Sequence, residues 1–129
     1  MASEEMTKPV PELTVVVPVH DEAANLRVVI EEIEIALAGR LTFEMVYVDD
    51  GSADATPDLL AELAAQFPTL RVVRHAVRAG QSAAILSGVE AARAHLIATL
   101  DGDGQNDPAD IPRLVEIYRN EGGGDGFLM

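Results

Sequence analysis

Acidic residues occur at three points of the sequence where an apolar stretch ends. His20-Asp-Glu22 follows the first stretch, Asp49-Asp50 the second, and Asp101-Gly-Asp103 a later one. Two carboxylates separated by one small residue can hold a hard divalent cation and leave positions open for diphosphate oxygens. Without such a cation, a crevice lined by carboxylates would repel a diphosphate. The pattern predicts a metal site at Asp101 and Asp103, and two carboxylates suit Mg²⁺ and Mn²⁺ equally.

Two other interpretations of residues 101–107 compete with this metal site. The segment is similar to the first half of an EF-hand calcium loop, but Asn106 replaces the glycine and Pro112 the twelfth-position glutamate of that loop. We therefore set the calcium loop aside. An acidic turn that is solvated and binds no ligand remains the alternative for this segment taken alone.

The two adjacent aspartates are expected to have different roles. Successive strand residues point to opposite faces of a sheet, so only one of Asp49 and Asp50 can reach a ligand. The other should hydrogen-bond the turn that follows. Asp107, before a proline, is expected to cap a helix. His75 and His95 stand singly at ends of predicted strands, which indicates structural roles.

Composition narrows the class of protein. The chain has 129 residues, 48% of them hydrophobic, which is typical of one globular domain. The absence of cysteine excludes disulfides, thiolate metal sites and thiol nucleophiles. Nine basic residues against 22 acidic ones argue against a nucleic-acid partner. No stretch approaches the roughly 20 apolar residues of a membrane-spanning helix, and the polar, acidic beginning is unlike a signal peptide.

Strands and helices are predicted to alternate along the chain. The predicted strands are 13–19, 43–48, 70–74 and 95–100. The predicted helices are 25–38, 56–67, 80–94 and a last one that begins after Asp107 and includes Tyr118. This alternation predicts an α/β fold with a doubly wound, mostly parallel sheet. The acidic turns converge if the strand order is 3-2-1-4, whereas the turn after the third strand, which ends in Arg78, is basic.

The two ends of the sequence lie outside this pattern. Residues 1–12 are expected to form a flexible leader and residues 121–129 a truncated, glycine-rich tail, with the domain at 13–120 between them. The tail stops where a further strand would be expected. The fourth strand should therefore lie at an uncovered edge, and unpaired backbone groups there would allow self-association through that strand.

Three motifs resemble glycosyltransferase family 2. They are Val15-Val-Val-Pro-Val-His-Asp-Glu-Ala-Ala-Asn-Leu26, Val48-Asp-Asp-Gly-Ser-Ala-Asp-Ala-Thr56 and Leu100-Asp-Gly-Asp-Gly-Gln-Asn-Asp-Pro108. The intervening Gly80-Gln-Ser-Ala-Ala84 is similar as well. The resemblance covers residues 13–119 and is strongest to the polyprenyl-phosphate sugar transferases. It implies that these residues form the N-terminal, nucleotide-sugar-binding part of a GT-A fold.

The resemblance also implies roles for particular residues. Those expected to contact the nucleoside, base and ribose are Pro18, His20, Glu22, Val48 and Asp50. Those expected at the metal and diphosphate are Asp101, Gly102, Asp103 and Gln105. Within this set Asp101 and Asp103 match the D-x-D metal ligands. His20 stands where the family often has tyrosine, and Gly102 where it commonly has alanine.

The resemblance implies transfer of a sugar from a nucleotide-diphosphate sugar to an acceptor, polyprenyl phosphate in this branch, with inversion at the anomeric carbon. The family's catalytic domain continues for roughly another hundred residues. That continuation holds the acceptor site and has no match here, so catalytic residues are not assigned. The chain is expected to be the nucleotide-binding half, cytoplasmic or peripheral at the inner face of the membrane.

Two alternatives come from other classes. One is a non-catalytic, metal-dependent nucleotide-diphosphate-binding remnant. The other is a phospho-acceptor receiver domain, which is also acidic and α/β. Receivers place paired acids after the first strand and a single aspartate after the third, whereas here the first strand leads to His20 and the third to His75. The receiver interpretation is therefore disfavoured.

Overall fold

A computed structural model describes residues 9–122 and the backbone of residues 126–128. The strands are β1 (Leu13–Val19), β2 (Phe43–Asp50), β3 (Leu70–His75), β4 (Leu96–Thr99) and β5 (Gly126–Leu128). The helices are α1 (Leu26–Leu37), α2 (Thr56–Gln66), α3 (Gln81–Ala91) and α4 (Ile111–Asn120), and a 3₁₀ helix, Pro108–Asp110, leads into α4. None of these helices combines the length and apolar character that crossing a bilayer would demand.

The strands form one parallel sheet in the order β3-β2-β1-β4-β5. The predicted doubly wound topology and the order 3-2-1-4 are confirmed. In the centre of the sheet Val16 pairs with Val46 on one side and with Thr99 on the other. This register brings the carboxyl ends of β1, β2 and β4 together, where an open parallel sheet binds its ligands.

The predicted uncovered edge at the fourth strand is wrong. β5 pairs with β4 in parallel, with Leu96 opposite Gly126 and Ala98 opposite Leu128. Three extended residues, two of them apolar in sequence, are enough to pair with the backbone groups of β4. β4 is therefore not the edge strand of the sheet, and the reason given for self-association through it does not hold. Within the predicted glycine-rich tail, residues 123–125 and 129 lie outside the described residues.

The predicted leader is described only in its last part, because residues 1–8 lie outside the described residues. The Glu12 backbone N–H donates to the Thr42 carbonyl oxygen at 3.0 Å, and the Thr42 backbone N–H donates to the Glu12 carboxylate at 3.3 Å. Glu12 is therefore joined to the residue just before β2.

The two faces of the sheet are covered unequally. The main core lies between the sheet and α1, α2 and α4, and α3 covers the other face over a small cluster of Val46, Val48 and Ala84. The helix α3 is rich in small residues and packs closely on the sheet. A Cβ added at Gly88 would lie 2.3 Å from Val16 Cγ1. This close packing fixes the N-terminus of α3 beside the carboxyl ends of the central strands.

A buried polar network lies at the opposite end of the sheet. The Glu44 carboxylate accepts hydrogen bonds from the Thr14 hydroxyl and the Arg93 backbone N–H, both at 2.7 Å. Arg71 Nε lies 3.4 Å from the same carboxylate, an ion pair without hydrogen-bond geometry. The network ties the segment between α3 and β4 to β1, β2 and β3, and so helps to position β4.

Candidate functional site

A cleft of about 300 Å³ opens at the carboxyl ends of the central strands. Seven of the nine residues predicted for the site line it, and they are Pro18, His20, Glu22, Asp50, Asp101, Gly102 and Asp103. The other lining residues are Val19, Arg78, Gln81 and Ala84. The cleft therefore holds four carboxylates and one arginine, and its electrostatic character is acidic.

Asp50, the last residue of β2, fixes the loop between β3 and α3. Its Oδ1 accepts from the Ala79 backbone N–H at 2.8 Å and from His75 Nδ1 at 2.9 Å, and its Oδ2 accepts from the Gly80 N–H at 2.9 Å. Burial alone would raise the pKa of Asp50, but the hydrogen bonds from Ala79, His75 and Gly80 outweigh it and hold the pKa below its usual value. Asp50 is thus a carboxylate with one acceptor position left on Oδ2.

Asp49 has the other role that strand alternation predicts. Its side chain is fully buried on the opposite face from Asp50, and its Oδ1 accepts from the Ser52 backbone N–H at 3.1 Å. Arg74 Nε lies 3.7 Å from its second oxygen. Asp49 therefore supports the turn that follows β2 and does not reach the cleft.

The loop before α3 also packs directly on the turn after β2. Gly51 has a φ of +65°, and a Cβ there would lie 2.4 Å from the Arg78 backbone nitrogen. Only glycine satisfies both the left-handed backbone and this approach. Because the backbone of Arg78 is held against Gly51, its side chain is presented to the cleft.

The segment after β1 is joined to the segment after β2. His20 Nδ1 donates to the Asp50 carbonyl oxygen at 2.7 Å, and the Glu22 backbone N–H donates to the Thr56 hydroxyl at 3.1 Å. Asp21 adopts a φ of +52°, and its carboxylate accepts from the Ala53 N–H at 2.8 Å. Thr56 is the first residue of α2, so its hydroxyl joins that helix to the segment after β1.

Three hydrogen bonds shape the D-x-D turn after β4. The Asp101 N–H donates to Asn106 Oδ1 at 3.0 Å, and Gln81 Nε2 donates to Asp101 Oδ1 at 3.3 Å. Asp103 Oδ1 accepts from the Gln105 backbone N–H at 3.0 Å. Further along, Asp107 accepts from the Ala109 N–H at 3.0 Å and caps the 3₁₀ helix, as the sequence predicts.

Gly102 allows this turn to lie against the end of β1. A Cβ at this position would lie 2.5 Å from Val19 Cγ1 and 3.2 Å from the Pro18 carbonyl oxygen. The absence of a side chain at Gly102 therefore sets how closely the two aspartates approach β1.

The donor atoms of the D-x-D turn fit a hard cation. Asp101 and Asp103 are exposed, and each uses Oδ1 in the hydrogen bonds above, which leaves Oδ2 of each carboxylate for a cation. Among the residues that the structure describes, no three acidic or histidine side chains are grouped closely enough to bind a metal ion. A cation on these two aspartates would take its remaining ligands from a bound molecule or from water.

Two predicted site residues do not line the cleft. Val48 is fully buried in the small core under α3, and Gln105 is exposed and contacts Asp103 through its backbone N–H. Conversely, Arg78 and Gln81 line the cleft and were not predicted as site residues. In the sequence, the basic turn after the third strand pointed to Arg78, and the family-like segment Gly80-Gln-Ser-Ala-Ala84 pointed to Gln81.

Known proteins similar to this chain share its sequence pattern. Residues 14–124 match the family model for Glycosyl transferase family 2. The chain is 40% identical over 113 residues to the dodecaprenyl-phosphate galacturonate synthase of Rhizobium johnstonii, covering 85% of this chain and 33% of that protein. It is 45% identical over 112 residues to the undecaprenyl-phosphate 4-deoxy-4-formamido-L-arabinose transferase of Pseudomonas paraeruginosa. That match covers 84% of this chain and 32% of that protein.

A solved structure extends the similarity to the fold. The mannosyltransferase PcManGT of Pyrobaculum calidifontis, in complex with GDP-Man and Mn²⁺, superposes with a TM-score of 0.75 at 26% identity. The match covers 84% of this chain and 32% of that one. The chain thus spans about a third of the length of the relatives it matches. With the family pattern matched over 111 residues and the corresponding fold, the chain belongs to glycosyl transferase family 2.

Proposed function

We propose that this chain is the nucleotide-sugar-binding part of an enzyme that transfers a sugar to polyprenyl phosphate. The observation that carries the proposal is that seven residues drawn from three separate motifs line one cleft. The family membership and the polyprenyl-phosphate substrates in the relatives' names support the same reaction class. The ligand of the cleft is then a nucleoside diphosphate that carries the sugar.

The nucleoside would lie between the ends of β1 and β2. Pro18, His20 and Glu22 form one wall there, and the carboxylate of Asp50 offers its remaining acceptor position to an N–H or O–H of the base or ribose. The backbone of Val48 would support the floor. Hydrogen bonds from His20 and to Asp50 hold these groups in place before any ligand arrives, which reduces the entropic cost of binding.

The diphosphate would lie towards the D-x-D turn. Asp101 and Asp103 would hold Mg²⁺ or Mn²⁺. Such a cation, when bound, offsets the negative charge of the diphosphate and the further charge that develops when the diphosphate leaves. Gly102 keeps the turn against β1, and Gln105 supports Asp103. The first turn of α3 has no acidic residue and opens on the cleft at Gln81, so its helix dipole adds to the attraction for phosphate.

The proposed reaction is a displacement at the anomeric carbon. An oxygen of the acceptor phosphate forms the new bond to that carbon while the bond to the diphosphate oxygen breaks, and the nucleoside diphosphate leaves with the bonding electrons. Attack from the opposite side inverts the anomeric configuration. A phosphate acceptor is already ionised, so this chemistry needs no strong base to activate it.

A non-catalytic protein that binds a nucleoside diphosphate with a metal ion is the second candidate. It would use the same cleft and the same D-x-D turn and would lack only the transfer step. Both candidates require metal-dependent binding of a nucleoside diphosphate, which calorimetric titration of the chain with a nucleotide panel, with and without Mn²⁺, tests. Sugar transfer to polyprenyl phosphate then separates the two, since turnover supports the enzyme and binding without turnover supports the second candidate.

A further inference from the structure

We propose that His75 is a positioning residue for nucleotide binding, acting through Asp50 on the loop that carries Arg78. The proposal rests on the function proposed above. His75 is the last residue of β3 and does not line the cleft. Its ring lies between two partners, with Nδ1 2.9 Å from Asp50 Oδ1 and Nε2 2.8 Å from the Ser87 hydroxyl oxygen.

The partners determine how the imidazole must be oriented and protonated. An ionised Asp50 carboxylate only accepts hydrogen bonds, so Nδ1 of His75 carries a proton and donates it. In a neutral imidazole Nε2 then accepts from the Ser87 hydroxyl, which is held on α3. The two hydrogen bonds that join Ser87, His75 and Asp50 thus connect α3 and β3 to the end of β2.

These two hydrogen bonds affect the cleft because the Asp50 carboxylate has two roles. The same carboxylate receives the backbone N–H groups of Ala79 and Gly80 and faces the cleft with its remaining acceptor position. The hydrogen bond from His75 restricts rotation of the carboxylate, so both the binding of the loop and the orientation towards the cleft depend on it. Its loss would let Asp50 turn and would loosen the loop that presents Arg78.

Substitutions at position 75 can separate the two hydrogen bonds. The side-chain amide of His75→Asn can place its NH₂ group near the position of Nδ1 and keep the bond to Asp50. The longer His75→Gln reaches the position of Nε2 and keeps only the bond to Ser87. Ser87→Ala removes the outer bond alone and serves as the matched control, and circular dichroism verifies that each variant of the whole chain is folded.

Two measurements test the proposal. The first is the affinity for a nucleoside diphosphate in the presence of Mn²⁺, and the second is amide hydrogen exchange at Ala79 and Gly80. We expect His75→Gln to weaken binding by about tenfold or more and to accelerate exchange at both amides. His75→Asn and Ser87→Ala should stay within about threefold of the wild-type affinity.

The outcomes are distinct. Equal affinity and equal exchange in His75→Asn and His75→Gln would overturn the positioning role. Wild-type values in His75→Gln would overturn it as well, since a histidine that only fills space needs no bond to Asp50. If the wild-type chain bound no nucleotide, the proposed function would fail, while exchange at Ala79 and Gly80 would still decide whether His75 fixes Asp50 and its loop.

Discussion

Replacing Asp50 by alanine removes three hydrogen bonds to one buried carboxylate. The donors are the N–H groups of Ala79 and Gly80 and Nδ1 of His75, at 2.8–2.9 Å. A hydrogen bond to a charged group contributes about 1.5–3 kcal/mol. Water can enter the open cleft and hydrate the freed donors, so the three losses will not add fully. We expect the free energy of unfolding to fall by about 3 kcal/mol.

The pH dependence of this loss follows from the lowered pKa of Asp50. A group whose pKa is lower in the folded state stabilises the protein above its unfolded pKa, which is about 3.9 for aspartate. That stabilisation disappears as the pH falls through the folded pKa. The difference in unfolding free energy between the wild type and Asp50→Ala should therefore be constant from about pH 7 to pH 5 and shrink below about pH 4.

Urea denaturation across this pH range measures the difference, and titration with a nucleoside diphosphate and Mn²⁺ measures the functional effect. Asp49→Asn is the matched control, because Asp49 neighbours Asp50 but binds Ser52 away from the cleft. Asp50→Ala should weaken nucleotide binding by at least about tenfold and keep the requirement for Mn²⁺, whereas Asp49→Asn should leave the affinity unchanged. Wild-type stability and affinity in Asp50→Ala would refute the reasoning.

Three further substitutions test other parts of the structure. Gly102→Ala, whose methyl group would lie 2.5 Å from Val19 Cγ1, should lower the unfolding free energy by about 1–3 kcal/mol and weaken Mn²⁺-dependent nucleotide binding. Unchanged binding would show that the turn does not depend on this contact. Glu44→Ala should cost about 3–5 kcal/mol in urea denaturation with nucleotide affinity retained, and a large loss of affinity would contradict the separation of the two ends of the sheet. Tyr47→Phe removes a fully buried hydroxyl that has no hydrogen-bond partner among the described residues. The free energy of unfolding should therefore rise by about 1 kcal/mol, measured as a higher melting temperature, and a lower melting temperature would contradict this.

Much of the fold could be predicted because its signals are local. The apolar run of β1 and the alanine-rich α3 specify their elements, and the acidic turns identify the strand ends that meet in a parallel sheet. The different roles of Asp49 and Asp50 follow from strand alternation alone. These features depend on residues close in sequence, so the sequence contains them directly.

The features that could not be predicted depend on contacts between distant residues. β5 has only three residues and no periodicity, and its pairing depends on the backbone of β4. Arg78 reaches the cleft because its backbone packs against Gly51, 27 residues earlier. His75 was expected to be structural, and its hydrogen bond to Asp50 becomes visible only when β2 and β3 are in register.

The measurement that tests the central claim most directly is calorimetric titration of the chain with a nucleoside diphosphate, with and without Mn²⁺. The wild type should bind only when Mn²⁺ is present. Asp103→Ala should weaken that binding by at least about tenfold. Asp110→Ala is the control, because it removes the same charge from an exposed residue of the neighbouring 3₁₀ helix, and its affinity should equal that of the wild type. Equal affinity of the wild-type chain with and without Mn²⁺, or unchanged binding in Asp103→Ala, would contradict the account.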